Sequence, residues 1–135
     1  MNSKISIQFR YIVAFALAFI CANALCEADE AKAMNDKYIK LYQSWKRATE
    51  TMLPYSKTTV YTNLNEFKKI AACDLGIIPF LKQKIEEDQR MDFVLAIAVV
   101  KIEKWPEAEF STTDMTRYRQ LVLVKLNKVN STSHP

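Results

Sequence analysis

Glycine is almost absent from this chain. Gly76 is the only one in 135 residues, where an average domain carries about 7%. Glycine supplies positive φ in β-rich folds and close backbone approach in phosphate-binding loops. Its scarcity argues for helices and against a nucleotide site. Histidine also occurs once, at His134 in a Ser/Thr-rich tail. Neither a Ser-His-Asp or Cys-His triad nor a histidine-rich metal centre has the residues it needs. Catalysis would fall to Asp, Glu, Lys, Tyr or Cys73, and no two carboxylates stand out from the surface pattern. The expectation is a non-enzyme without a cofactor or metal.

Long apolar runs are missing too, except at the start. Lys4 and Arg10 precede the uncharged stretch Tyr11–Ile20, and Ala22-Asn23-Ala24 supplies a small-x-small pattern before the acidic residues from Glu27. This order reads as a secretory signal peptide cleaved between Ala24 and Leu25, with cleavage after Cys26 as the second choice. A spanning helix needs about 20 apolar residues. The stretch from Tyr11 to Cys26 is shorter and is interrupted by Asn23, so a retained membrane anchor is the alternative. The chain then divides into a signal peptide (1–24), a helical domain (25–130) and a polar tail (131–135). Membrane contact is expected during export, or permanently if the signal is retained.

Removing residues 1–24 leaves about 111 residues, enough for one domain and too few for two. Lys4 and Arg10 leave with the signal, so the net charge of +4 drops to +2. A nearly neutral surface of mixed charges gives no reason to expect nucleic acid as a partner. The three cysteines are Cys21, Cys26 and Cys73. If Cys26 survives cleavage, it can pair with Cys73 in an oxidising compartment. A small buried Cys73 with Cys26 lost or unpaired is an equal reading.

Met34, Tyr38, Leu41, Trp45, Ala48 and Met52 recur at alternating steps of four and three, one continuous helical stripe. Lys37, Lys40, Lys46, Arg47 and Glu50 take the opposite face, and Pro54 is expected to end the helix. Residues 54–62 read as a polar connection. Asn63, with Glu66 three residues on, marks a second helix through Leu64, Phe67, Ile70 and Ala71. Gly76 is expected to close it in the left-handed conformation. A third helix enters through Pro79, with Ile78, Leu81 and Ile85 inward and the acidic run Glu86–Asp88 solvated. Phe93–Val100 is the most apolar part of the remainder. It reads as a central helix capped by Asp92 and running to Trp105 before Pro106. After a loop, Ser111 with Asp114 signals a last helix carrying Met115, Tyr118, Val122, Leu126 and Val129. Asn130-Ser131-Thr132 in the tail matches a glycosylation acceptor triplet of eukaryotic secretion.

The fold expected is all-α, a compact bundle of about five helices. The run Phe67-Lys68-Lys69-Ile70, Leu75-Gly76-Ile77-Ile78-Pro79-Phe80-Leu81, Phe93-Val94-Leu95-Ala96 and Ile102-Glu103-Lys104-Trp105 resembles the helical hairpin of HEAT-like repeat proteins, over about residues 64–105. That resemblance implies a central helical hairpin and a binding role. Stacked repeats need three or more units, and one hairpin is visible, which favours a bundle over a solenoid. The function expected is a secreted or periplasmic helical interaction protein with a protein partner. The aromatics Tyr38, Tyr42, Trp45 and Trp105 are its candidate contact residues. An inhibitor or immunity-type protein and a membrane-anchored structural protein are the alternatives.

Overall fold

The computed structural model describes residues 2–52, 57–87 and 91–132. Among these there are six α-helices and no strand: α1 (Asn2–Glu50), α2 (Thr58–Thr62), α3 (Asn65–Ala71), α4 (Ile78–Glu87), α5 (Leu95–Ile102) and α6 (Met115–Thr132). Short 3₁₀ turns at Leu75–Ile77, Asp92–Val94 and Glu107–Phe110 join the later helices. The expected all-α class is observed. Pro54, Asp88 and His134 lie outside the described residues.

The chain divides into two units, residues 1–37 and 38–135. Every described side chain from Arg10 to Lys37 is exposed. The second unit contains the core, and the packed unit therefore starts 13 residues after Leu25. Its part of α1 begins with Tyr38, which is buried, as is Trp45. Leu41, Tyr42 and Met52 are partly buried and pack against the core. The expected stripe is therefore the packed face of this segment, except for Met34, which is exposed in the first unit.

Helix α5 is central. Leu95, Ala96, Ala98, Val99, Val100 and Ile102 are all buried, and α3, α4 and α6 pack on it. A helix apolar nearly all round can only exist covered on several sides. Helix α4 turns Ile78, Leu81 and Ile85 toward it, and α6 turns Val122 and Leu126 inward. Leu121 remains exposed beside buried Val122, on the outward side of α6, and Val129 is exposed because the last turns of α6 run past the core. The α6 helix also continues through Ser131 to Thr132, into the expected tail.

Several helix ends differ from the sequence reading. Residues 58–62 form α2 rather than a loop, and this displaces the next start. Asn63 becomes the C-cap of α2, its N–H donating to the Thr59 carbonyl at 3.1 Å. Leu64 then stands at the N-cap of α3 without a side-chain cap. Asp92 is buried within a 3₁₀ turn and does not cap α5. Ser111 is not the cap of α6 either. Asp114 accepts from the N–H groups of Thr116 at 2.9 Å and Arg117 at 3.4 Å.

Gly76 has no positive φ. It lies in the 3₁₀ turn Leu75–Ile77, capped by the Asp74 carboxylate, which accepts the Gly76 N–H at 3.0 Å. Its need for glycine is space. A Cβ here would meet Tyr38 Oη at 2.9 Å and Asp74 Oδ1 at 3.0 Å, and those two atoms are themselves hydrogen-bonded at 3.1 Å. The left-handed position after a helix belongs instead to Lys104, with φ 53°. Its N–H donates to the Lys101 carbonyl at 3.2 Å, and the Trp105 N–H reaches back to Val100 at 3.1 Å. Together these bonds close α5 in the paired C-terminal motif that usually holds glycine. Helix α5 thus ends at Ile102 and not at Trp105.

Two opposite glycine exchanges follow. Gly76→Ala and Gly76→Asn should both destabilise by about 1–2 kcal/mol, because any Cβ disturbs the Tyr38–Asp74 bond. Lys104→Gly should stabilise by about 0.5 kcal/mol, as relief of left-handed strain exceeds the added chain entropy. Urea unfolding of the three variants checks both signs. A Gly76→Asn variant as stable as the parent would contradict the crowding.

Candidate functional site

A single carboxylate is fully buried among the described residues of the packed unit. Asp92 sits at 0% exposure, immediately before the apolar segment Phe93–Val100. Two side chains of α1, one turn apart, reach it. The Tyr42 hydroxyl donates to Oδ2 at 2.9 Å and the Lys46 ammonium donates to Oδ1 at 3.3 Å. Positions i and i+4 lie one above the other on a helix, so the spacing of Tyr42 and Lys46 delivers both donors to one acceptor. The Phe80 ring of α4 meets Tyr42 edge-on at 5.8 Å. Lys84 lies over both rings, 5.4 Å from Tyr42 and 5.7 Å from Phe80, and pairs with Glu87 at 2.8 Å.

The electrostatics define what this cluster can do. Burial raises the Asp92 carboxyl above its ordinary value, and the Tyr42 bond and the Lys46 charge pull only part of the way back. Burial, then the bond to Asp92, raises the Tyr42 phenol far above its ordinary value. The Lys84 bond holds the exposed Glu87 carboxyl below its ordinary range. A phenol held protonated is a donor and not a base. The carboxylate is enclosed, with both oxygens engaged. The arrangement is therefore a polar clamp tying α1 to the start of α5, without an accessible acid–base pair.

A second aromatic group closes the other end of α5. Trp105 stacks on Phe110 at 5.7 Å and 16°, and Phe110 meets Tyr118 at 5.7 Å and 51°. Lys125 of α6 covers Trp105 at 4.8 Å and pairs with Glu109. Arg119 ties α6 to the end of α4, its Nε donating to the Ile85 carbonyl at 2.9 Å, where a cation also suits the negative end of the helix.

The expected contact residues divide accordingly. Trp45 is completely buried and Tyr38 nearly so, which makes both core residues. Tyr42 and Trp105 are half-buried. The Trp45 indole N–H has no hydrogen-bond partner among the described residues. Cys73 is half-buried and donates its thiol to the Lys69 carbonyl at 3.4 Å. No disulfide is formed among the described residues, and Cys26 lies in the first unit. Ala24 and Leu25 are exposed on α1. Sequence reasoning missed Asp92 as a buried acceptor. The available signal was an acidic residue embedded between Met91 and Phe93.

Among the described residues no group of three His, Cys, Asp or Glu side chains could hold a metal ion. Helix α1 is long and apolar enough near its start to cross a membrane. The chain matches no known protein family, no characterised protein and no solved structure.

Removing Lys46 should expose the cost of burying Asp92. Lys46→Met takes away a charge that lowers the Asp92 pKa, so the folded-state pKa rises further. A carboxyl whose folded pKa is raised binds its proton more tightly when folded, and stability then increases as pH falls through that pKa. The variant should lose about 1–3 kcal/mol at pH 7, and measurably less at about pH 4.5. Urea midpoints at the two pH values check this. A loss that grows on acidification would contradict the clamp.

Proposed function

We propose that this protein works outside the cytoplasm as a helical interaction module, exported through residues 1–24. The observation that carries this reading is the surface of the first unit. Tyr11, Val13, Phe15 and Leu17 are exposed by 73%, 45%, 77% and 57%, on several sides of one helix. A contiguous apolar surface of this kind calls for an apolar phase or another protein. Export machinery and lipid provide one during secretion, after which the segment is removed.

The second unit supports binding over catalysis. Its buried carboxylate is spent on the Tyr42–Lys46 clamp, and its pockets are open clefts. The resemblance of residues 64–105 to a HEAT-like hairpin points the same way, toward a protein partner, with an inhibitor or immunity-type role as one form of it. A membrane-anchored form is the second reading. It is favoured by the length and apolar character of the start of α1.

Fractionation of the producing cell, with the mass of the purified amino terminus, tests this. Export with cleavage should give a soluble extracytoplasmic chain beginning at Leu25, or at Glu27 if cleavage follows Cys26. An intact amino terminus in the membrane fraction would favour the anchored form. An intact chain in the cytosol would overturn both readings.

A further inference from the structure

We infer that the cleft between α5, the Glu107–Phe110 turn and α6 receives a basic side chain, lysine or arginine, of the protein partner. The inference rests on the interaction reading above and names the chemistry that the partner presents.

The cleft has a volume of about 640 Å³ and opens to solvent. That falls within the usual range for ligand sites, roughly 300–1,000 Å³, and exceeds what one side chain fills, so flanking backbone can enter with it. Ile97 and Phe110 give it an apolar floor, while Glu107, Ser111, Thr113 and Tyr118 supply polar groups at its walls. None of these four polar side chains has a hydrogen bond or ion pair among the described residues.

The two glutamates of the turn differ in one decisive respect. Glu109 is neutralised by Lys125, which is itself held over Trp105 and Phe110. Glu107 keeps its charge and faces the cleft. Its field reaches the half-buried Tyr118, whose phenol is raised first by burial and then by Glu107.

These features select among ligand classes. An anion would be repelled by Glu107. A purely apolar ligand would strip water from that carboxylate without replacing it. A bare divalent cation needs several oxygen ligands including carboxylates, and only one carboxylate lines the cleft among the described residues. A lysine or arginine side chain satisfies each demand. Its methylene stem covers Ile97 and Phe110 while its head reaches Glu107 and the hydroxyl oxygens. The Tyr118 ring adds an attractive face for the cation.

The test is an NMR titration of the isotope-labelled exported protein with Nα-acetyl-lysine amide, Nα-acetyl-arginine amide and, as neutral control, Nα-acetyl-glutamine amide. One of the cations should give saturable shifts at the Glu107, Ser111, Thr113 and Tyr118 amides, with Kd on the order of 1 mM. Glu107→Gln should weaken binding at least about fivefold, and added salt should weaken it too. Glu107 is exposed, so the variant should fold like the parent, and an unchanged thermal melt verifies that. Glu103→Gln, outside the cleft, should bind like the parent. Absence of saturable shifts with both cations, an equal response to the glutamine amide, or an unchanged Kd in Glu107→Gln would each overturn the inference. Such a result leaves the compartment and mature terminus as found, so it separates from failure of the export reading, which those two measurements decide.

Discussion

Helix α5 has almost no polar face, and the rest of the packed unit is arranged to keep it from water. Six of its eight residues are buried. At about 1.5–3 kcal/mol for each fully buried large aliphatic side chain, its burial outweighs any single hydrogen bond in the molecule. Helices α3, α4 and α6 cover it from separate directions. The ends of α5 are then fixed by two backbone compromises, Met91 and Lys104, both at positive φ without glycine. Left-handed residues of this kind cost about 1–2 kcal/mol each and persist where surrounding packing demands them.

The polar contacts follow from that apolar centre. Asp92 enters the interior because it immediately precedes the segment that must be buried, and it needs donors there. Tyr42 and Lys46 provide them from α1, one turn apart. The same helix sends Tyr38 to Asp74, which also caps the turn before α4. Thus α1 is held to the two turns that precede α4 and α5 by two tyrosine–aspartate bonds. The two pairs differ in exposure: Asp92 is enclosed, whereas Asp74 lies at the surface and accepts from both Tyr38 and the Gly76 N–H through Oδ1.

Periodicity made the core legible and left the helix ends obscure. Ile78, Leu81, Ile85, Leu95, Ala98 and Ile102 all proved to be buried, because apolar spacing at about 3.6 residues translates directly into a buried face. Helix ends depend on fewer atoms. Asn63, Asp92 and Gly76 are residue types that cap helices, yet α2, a buried clamp and a crowded Tyr38 claimed them for other purposes. The last two claims involve partners dozens of residues away, which local patterns do not encode. The aromatics show the same limit: spacing put Tyr38 and Trp45 on one stripe with Tyr42 beside it, but only the packing separated buried Trp45 from half-buried Tyr42. The cleft at Glu107 was invisible for a related reason, since its walls come from α5, a 3₁₀ turn and α6.

Amide hydrogen exchange on the purified chain tests most directly whether α5 is the centre on which the unit depends. Exchange from a buried helix requires opening on the scale of global unfolding, whereas an exposed helix exchanges by local fraying. The amides of Ala98–Ile102 should be the slowest in the molecule, and their opening free energy should match the global stability from urea unfolding. Those of residues 28–37, helical but outside the packed unit, should exchange orders of magnitude faster. Amides of α5 exchanging as rapidly as residues 28–37 would contradict the account.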